Sequence, residues 1–292
     1  PSQRESRSPW RRSNVYLGHF AISDVNAGKF YHFERQSRTA LNFAGGQADP
    51  TRIWLRDWTI KLVDPHEEIW RITAEETGVR LDLVLDAIRP ITRQGDRGLS
   101  QKSASAGNAS HYYSIPRLTA VGTITTPAGT HNVSGNAWYD HEWSTSALEK
   151  GQLGWDWFSL QFDTNMELMV YLLRKKDGSP DPASSGTIIF PDGRAQHLPL
   201  HEIEVETRGY WTSPHTAAKY PAQWVVNVPS VQLSVQIAPF VADQELRTSK
   251  STQVTYWEGA AEVKGQFQGN PIQGKAYVEL TGYSRPLIMD KK

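Results

Sequence analysis

Leu81, Leu83 and Leu85 fall on one side of an extended chain, with Asp82 and Asp86 on the other. A half-buried strand requires this alternation. Runs of the same kind recur along the chain with turn signals between them. In the first half they include "NVYLGHFAISD", "KFYHFERQSR", "EIWRITAEE" and "YYSIPRLTAVGTIT". In the second half they include "GWDWFSLQFD", "MELMVYLLRKKDG", "GTIIFPDG" and "AYVELTGYS". No segment holds a clean helical stripe with a cap at each end. Many evenly spaced antiparallel strands predict an all-β chain, a barrel or a sandwich.

The two halves also resemble each other. "HNVSGNAWYDHEW" aligns with "NPIQGKAYVELTGY", so that Gly135, Ala137 and Trp138 match Gly274, Ala276 and Tyr277 at an offset of 139 residues. "LGHFAISDVNAGKFYHFERQSR" likewise resembles "FSLQFDTNMELMVYLLRKKDG". The repeat predicts a duplicated antiparallel β-barrel, one copy over residues 1–148 and the other over 149–292, with the boundary in "TSALEKGQL". Asp140-His141-Glu142 of the first copy becomes Glu279-Leu280-Thr281 in the second, so the polar cluster is expected to belong to the first copy alone. The Gly- and Ser-rich stretch 92–110 is expected to be a poorly ordered insertion or a lid.

Composition narrows the function. The formal net charge is zero, which argues against a nucleic-acid or anionic-membrane partner. There is no cysteine, which removes disulfides, thiolate catalysis and zinc held by sulfur. No run reaches the ~18 apolar residues of a membrane span. Eleven Trp and eleven Tyr predict ring-lined surfaces. The start at Pro1, without Met and in the polar stretch "PSQRESRSPWRR", points to a missing upstream segment that could have carried a signal peptide.

The candidate site is "SGNAWYDHEWSTS". On a strand Trp138, Asp140 and Glu142 share one face, while Tyr139, His141 and Trp143 share the other. A carboxyl turned towards rings in a weakly solvated pocket has a raised pKa and can donate a proton near neutral pH. His111 and Tyr113 share a face one strand earlier, so His111 is expected to hydrogen-bond Asp140 and set its protonation. The alternative is that Asp140 and His111 form a buried polar pair that only fixes strand register. A metal site at His111, Asp140 and His141 is the weaker reading, because His141 should face away and no HExxH or HxH spacing occurs. No GxSxG turn, GxGxxG loop or GxxxxGK[ST] loop is present. In "GWDWF", Trp155 and Trp157 are expected to plug a barrel end. The remaining histidines carry no spacing signal.

"GNAWYDHEW", "GWDWFSLQF" and "KAYVELTGYSRPL" together resemble the AttH-like branch of the family that includes the bacterial carotenoid 1,2-hydratases. The branch is often labelled predicted secreted hydrolase. The resemblance covers essentially the whole chain. It implies two tandem lipocalin-like (calycin) barrels, and an upstream Glu-Trp-Trp strand that this chain lacks. It also implies acid-catalysed water addition to a double bond of an apolar, isoprenoid-like substrate, with no cofactor and no metal. Carried over, the acid falls on Asp140 and its aromatic neighbour on Trp138, where hydratases tend to have Tyr. The earlier pair falls on His111 and on Tyr113, where hydratases tend to have Trp. Tyr139, His141, Glu142 and Trp143 are expected to border the substrate. The competing expectation is a periplasmic or secreted carrier, or an export accessory, that binds an apolar molecule without chemistry. A hydrolase has no assembled nucleophile here.

Overall fold

The computed structural model describes residues 14–144 and 148–287. A hairpin of β1 (Val15–Asp24) and β2 (Lys29–Arg38) opens the chain. The first large sheet comprises β3 (Ala44–Ala48), β4 (Thr51–Leu55), β5 (Trp58–Asp64), β6 (Ile69–Glu76), β7 (Val79–Ala87), the short β8 (Thr92–Arg93) and β9 (Leu99–Gln101), and the long hairpin β10 (Ala109–Thr126) and β11 (Gly129–Ser144). The second comprises β12 (Gln152–Phe162), β13 (Glu167–Lys175), β14 (Ser185–Ile189), β15 (Ala195–Pro199), β16 (Glu204–Thr212), β17 (Lys219–Val228), β18 (Leu233–Pro239), β19 (Glu245–Arg247), β20 (Thr255–Phe267) and β21 (Asn270–Leu280). Helix is confined, among the described residues, to single 3-10 turns. The fold is all-β, with two curled antiparallel half-barrel sheets. The chain passes from one sheet to the other between Ser144 and Gln152; residues 145 to 147 of the expected boundary, and the polar start before residue 14, lie outside the described residues.

The repeat seen in the sequence reappears in the pairing order. The first sheet runs β11-β10-β7-β6-β5 and the second β21-β20-β18-β17-β16, with β8 and β9 lying on β10 as β19 lies on β20. The copies differ at their first hairpin. β12 bonds to β21 and extends the second sheet, whereas β1 and β2 form a separate two-stranded sheet.

Side-chain alternation decides what each sheet encloses. Phe158, Leu160 and Phe162 point into the second core with Leu168, Val170, Val235, Val263 and Val278. The intervening Trp157, Ser159 and Gln161 therefore point out of that sheet, towards the first. In the first copy Phe20, Leu55, Trp58 and Ala74 form the core, with Leu81 packed against it. On the opposite face of that strand Asp82 accepts two hydrogen bonds, each 2.8 Å, from the Arg71 guanidinium.

A bulge in β10 fastens the sheets together. The register with β11 shifts between Ile115 and Leu118, so Pro116 and Arg117 stand against one residue. Pro116, which has no N–H to give a ladder, suits such a position. Beyond the bulge Leu118 turns inward, and Arg117 turns to the second sheet. There its Nε donates to Glu167 at 2.6 Å and its Nη2 to the Phe162 carbonyl at 2.9 Å, with both side chains buried. Arg89 approaches the same carboxylate at 3.5 Å. Gln161 spans the interface as well, donating to the carbonyls of Pro116 and Ala137 at 2.8 and 2.9 Å.

The segment 92–110 is not the loose insertion its composition suggested. It folds back along the first part of β10, pairing Thr92 with Ser114 and Ser100 with Ser110. Gln94 and Ser100 are fully buried. Buried hydrogen bonds, Gln94 to Ser114 at 2.9 Å and Ser100 to the Tyr171 hydroxyl at 3.2 Å, outweigh the local Gly and Ser preference for disorder.

Burial pushes the Glu167 carboxyl up, while Arg117 and Arg89 pull it back. Replacing Glu167 by Gln strands the Arg117 charge between the sheets. Stability should fall by about 3–5 kcal/mol, read as a lower midpoint of urea unfolding.

Candidate active site between the two sheets

The register of β10 against β11 settles which side chains meet Asp140. Ser114 stands opposite Asp140, Tyr112 opposite Glu142, Tyr113 opposite His141 and His111 opposite Trp143. Directly opposed residues share a face. The expected His111–Asp140 contact is therefore corrected: His111 and Tyr113 lie on the other face. A shift of one residue in register exchanges every side chain between faces, and spacing within one strand does not fix that register. The residues that face Asp140 from β10 are Tyr112 and Ser114.

Asp140 accepts three hydrogen bonds. Tyr112 Oη donates to Oδ2 at 2.9 Å, Ser114 Oγ to Oδ1 at 2.5 Å and Trp138 Nε1 to Oδ1 at 2.8 Å. Trp157 Nε1, from β12, donates to the Tyr112 oxygen at 3.1 Å. The second sheet thereby orients the hydroxyl that orients the carboxyl. Burial pushes Asp140 up, and the donors Ser114, Trp138 and Tyr112 pull it part of the way back. Burial, and then the Asp140 charge, push the Tyr112 hydroxyl well above its ordinary value, so it remains a donor at neutral pH.

Tyr112, Asp140 and Trp157 border a cavity of about 610 Å³ between the two sheets. Small-molecule sites fall in this size range. Trp155, Trp157, Tyr171 and Leu173 form its apolar wall on the second sheet, and Tyr112, Asp140 and Glu142 face them from the first. Trp138 meets Trp157 edge to face, with ring centroids 6.3 Å apart. Glu142 accepts from Ser110 and pairs with Lys102 Nζ at 2.5 Å. Lys102 belongs to the segment 92–110, and its ammonium lies 4.4 Å from the Tyr171 ring centroid.

Trp138, Asp140 and Glu142 thus come together on one face, as the alternation predicts. Tyr113, Tyr139, His141 and His111 do not join them. They form a ladder on the opposite face, where Tyr113 Oη and His141 Nδ1 lie 2.9 Å apart and Tyr139 stacks on Trp70 at 5.9 Å. Trp143 stacks on His111 at 5.3 Å and, at the strand end, also borders the cavity.

"GWDWF" needs a correction too. Trp155 and Trp157 do not plug a barrel; they face out of the second sheet and line the cavity. Gly154 lets β12 approach this closely, since a Cβ there would lie 2.3 Å from the Thr281 carbonyl oxygen. The inward residues of the motif are Phe158, in the second core, and Asp156. Asp156 pairs with Arg174 and accepts from Tyr283 Oη at 2.9 Å, which closes the end of the second core. The second copy also contributes chemistry: Glu279, the counterpart of Asp140 in the repeat, borders the same cavity. The offset of 139 residues that aligns the copies was the sequence signal for it. Among the described residues no group of His, Cys, Asp and Glu is arranged to hold a metal ion, and no helix is long and apolar enough to cross a membrane.

Two curled sheets with an acidic, ring-lined cavity between them define a lipocalin-like two-copy protein. The chain belongs to the AttH-like family, whose model matches residues 1–283. It is 30% identical to a putative AttH from Nitrosomonas europaea known from its crystal structure, with a TM-score of 0.82 over 93% of this chain and 81% of that one. The kievitone hydratase of Nectria haematococca shares the fold, with a TM-score of 0.73 at 18% identity over 92% of this chain and 80% of that one. In sequence, the chain is 25% identical to the kievitone hydratase of Fusarium solani subsp. phaseoli over 72% of its own length, and 22% identical to the dehydratase asqC of Emericella nidulans over 49%. These matches span 59% and 41% of the two relatives.

Tyr112 tests the arrangement. Tyr112→Phe leaves the Trp157 N–H without its acceptor and removes a donor from Asp140. Stability should fall by about 1–3 kcal/mol in thermal unfolding, and the Asp140 carboxyl should titrate higher still in carboxyl 13C NMR.

Proposed function

We propose that the protein adds water to, or eliminates water from, a carbon–carbon double bond of an apolar, isoprenoid-like substrate held between its two sheets. One observation carries this reading: a carboxyl, Asp140, is fixed by three donors at the edge of a ring-lined cavity. Relatives that are a hydratase and a dehydratase support it. Neither direction needs an external electron source, because adding or removing water moves protons and one C–O bond.

Asp140 handles the proton at carbon. When protonated, it gives that proton to one alkene carbon, and the developing positive charge on the neighbouring carbon lies beside Trp155 and Trp157. Ring faces stabilise a cation. Water then bonds to that carbon and loses a proton. In elimination the Asp140 carboxylate takes the C–H proton instead. Tyr112, Ser114 and Trp138 hold one carboxyl rotamer against the substrate, which is the positioning such a transfer needs.

The test uses kievitone and the acyclic alkene geranylgeraniol as probes, with the gain or loss of one water followed by mass spectrometry. Asp140→Asn should reduce turnover by about a hundredfold or more while probe binding, read by quenching of tryptophan fluorescence, is kept. Turnover by the Asn variant at the native rate would sink the acid role. Binding of a probe with no turnover by either protein would indicate a lipocalin-like carrier.

A further inference from the structure

Three carboxyls border the cavity, and their surroundings differ. Glu142 on β11 is neutralised by Lys102 and receives the Ser110 hydroxyl. Asp140 on the same strand has its three donors. Glu279 on β21 has the Trp155 side chain from β12 as its donor, and no cation is paired with it among the described residues. Lys102, the cation that borders the same cavity, is paired with Glu142. Glu258 stands directly opposite on β20, and Tyr112 on β10 and Tyr171 on β13 share the cavity wall.

The pseudo-symmetry of the fold explains why Glu279 is there. Asp140 and Glu279 occupy equivalent positions in the repeat, each on the last strand of its copy and each pointing out of its sheet. The two sheets meet through those outer faces. Equivalent positions of the two copies are thereby brought to one cavity from opposite walls.

We propose that Glu279 is the second catalytic group of this site, transferring the proton at the oxygen of water or of the leaving hydroxyl while Asp140 transfers the proton at carbon. The assignment rests on the hydration reading above. In the hydration direction Asp140 donates to one alkene carbon and the π electrons form the new C–H bond. The water oxygen bonds the other carbon, and its surplus proton passes to the Glu279 carboxylate. In the elimination direction Glu279 protonates the hydroxyl, the C–O bond breaks with its electron pair leaving on water, and the Asp140 carboxylate removes the C–H proton. The substrate gains or loses one water, and solvent resets the two carboxyls. Opposed acid and base roles fall to carboxyls in unlike environments. Burial, followed by the charges of Asp140 and Glu142, pushes Glu279 up, and Trp155 pulls it back.

The test is Glu279→Gln in the full chain, with the same two probes and with substrate-free measurements beside them. Turnover should fall about a hundredfold or more with probe binding retained, and a carboxyl 13C resonance titrating well above the ordinary glutamate value of about 4.3 should vanish. Stability gives a second readout. A carboxyl raised by folding stabilises the protonated protein, so native stability should fall as pH rises from that ordinary value through the raised one. Glu279→Gln should weaken this slope, with Glu258 supplying the remainder. Glu279→Asp, which keeps the carboxyl, should restore part of the rate if the Gln variant folds poorly. Turnover by Glu279→Gln within threefold of the native rate would overturn the assignment and leave the Asp140 reading intact. Absence of turnover in the native protein would overturn both, with the 13C titration still reporting the Glu279 carboxyl.

Discussion

The buried pair of Arg117 and Glu167 is the contact on which the rest of the molecule depends. Each sheet encloses its own apolar core, so neither core requires a particular placement of its neighbour. The placement comes from the faces turned outward, where an apolar cluster of Tyr112, Met169, Tyr171 and Leu173 lies beside these buried polar groups. A fully buried carboxylate beside a buried guanidinium tolerates little displacement, because separating the two in a weakly polar interior costs far more than separating them in water. The bulge at Pro116 aims Arg117 at that carboxylate and at the Phe162 carbonyl. Gln161 adds two further bonds a short distance away. A cavity next to such a clamp holds its shape.

The cavity belongs to neither barrel. Asp140 and its donors Ser114 and Trp138 come from the first copy, the apolar wall comes from the second, and Trp157 reaches across to Tyr112. Each copy alone would expose half a site. Two equivalent strand positions, Asp140 and Glu279, thus stand in unlike surroundings, the first with three hydrogen-bond donors and the second with Trp155 alone. The fold is shared with AttH proteins and with a kievitone hydratase. The chemistry proposed here follows from the particular residues on the facing walls.

Much of this was legible in the chain. The alternation of Leu81, Leu83 and Leu85 with Asp82 and Asp86 is a local property, fixed by the two-residue period of an extended backbone, and it predicted strands correctly. The same period placed Trp138, Asp140 and Glu142 on one face. The repeat offset paired β11 with β21 and held in the topology. The errors share one cause. Spacing pairs His111 with Asp140 whereas Tyr112 and Ser114 stand there, because register between strands depends on hydrogen bonds from elsewhere in the sheet. Trp155 and Trp157 were placed at a barrel end when they face the other sheet, because alternation tells which residues share a side and not what that side meets. Segment 92–110 was read as loose from its Gly and Ser content, whereas its order comes from β10 and from Tyr171.

By itself, then, the sequence determined the strands and the face of the acidic strand, which are encoded in short-range periodicity, and the duplication, which is encoded in the similarity of segments 139 residues apart. Tertiary structure alone decided that the outer faces of the copies meet, that Tyr112 replaces His111 beside Asp140, and that Glu279 joins the cavity. Those outcomes turn on register and on sheet-to-sheet packing, where contacts between residues far apart in the chain compete and one arrangement satisfies the buried charges.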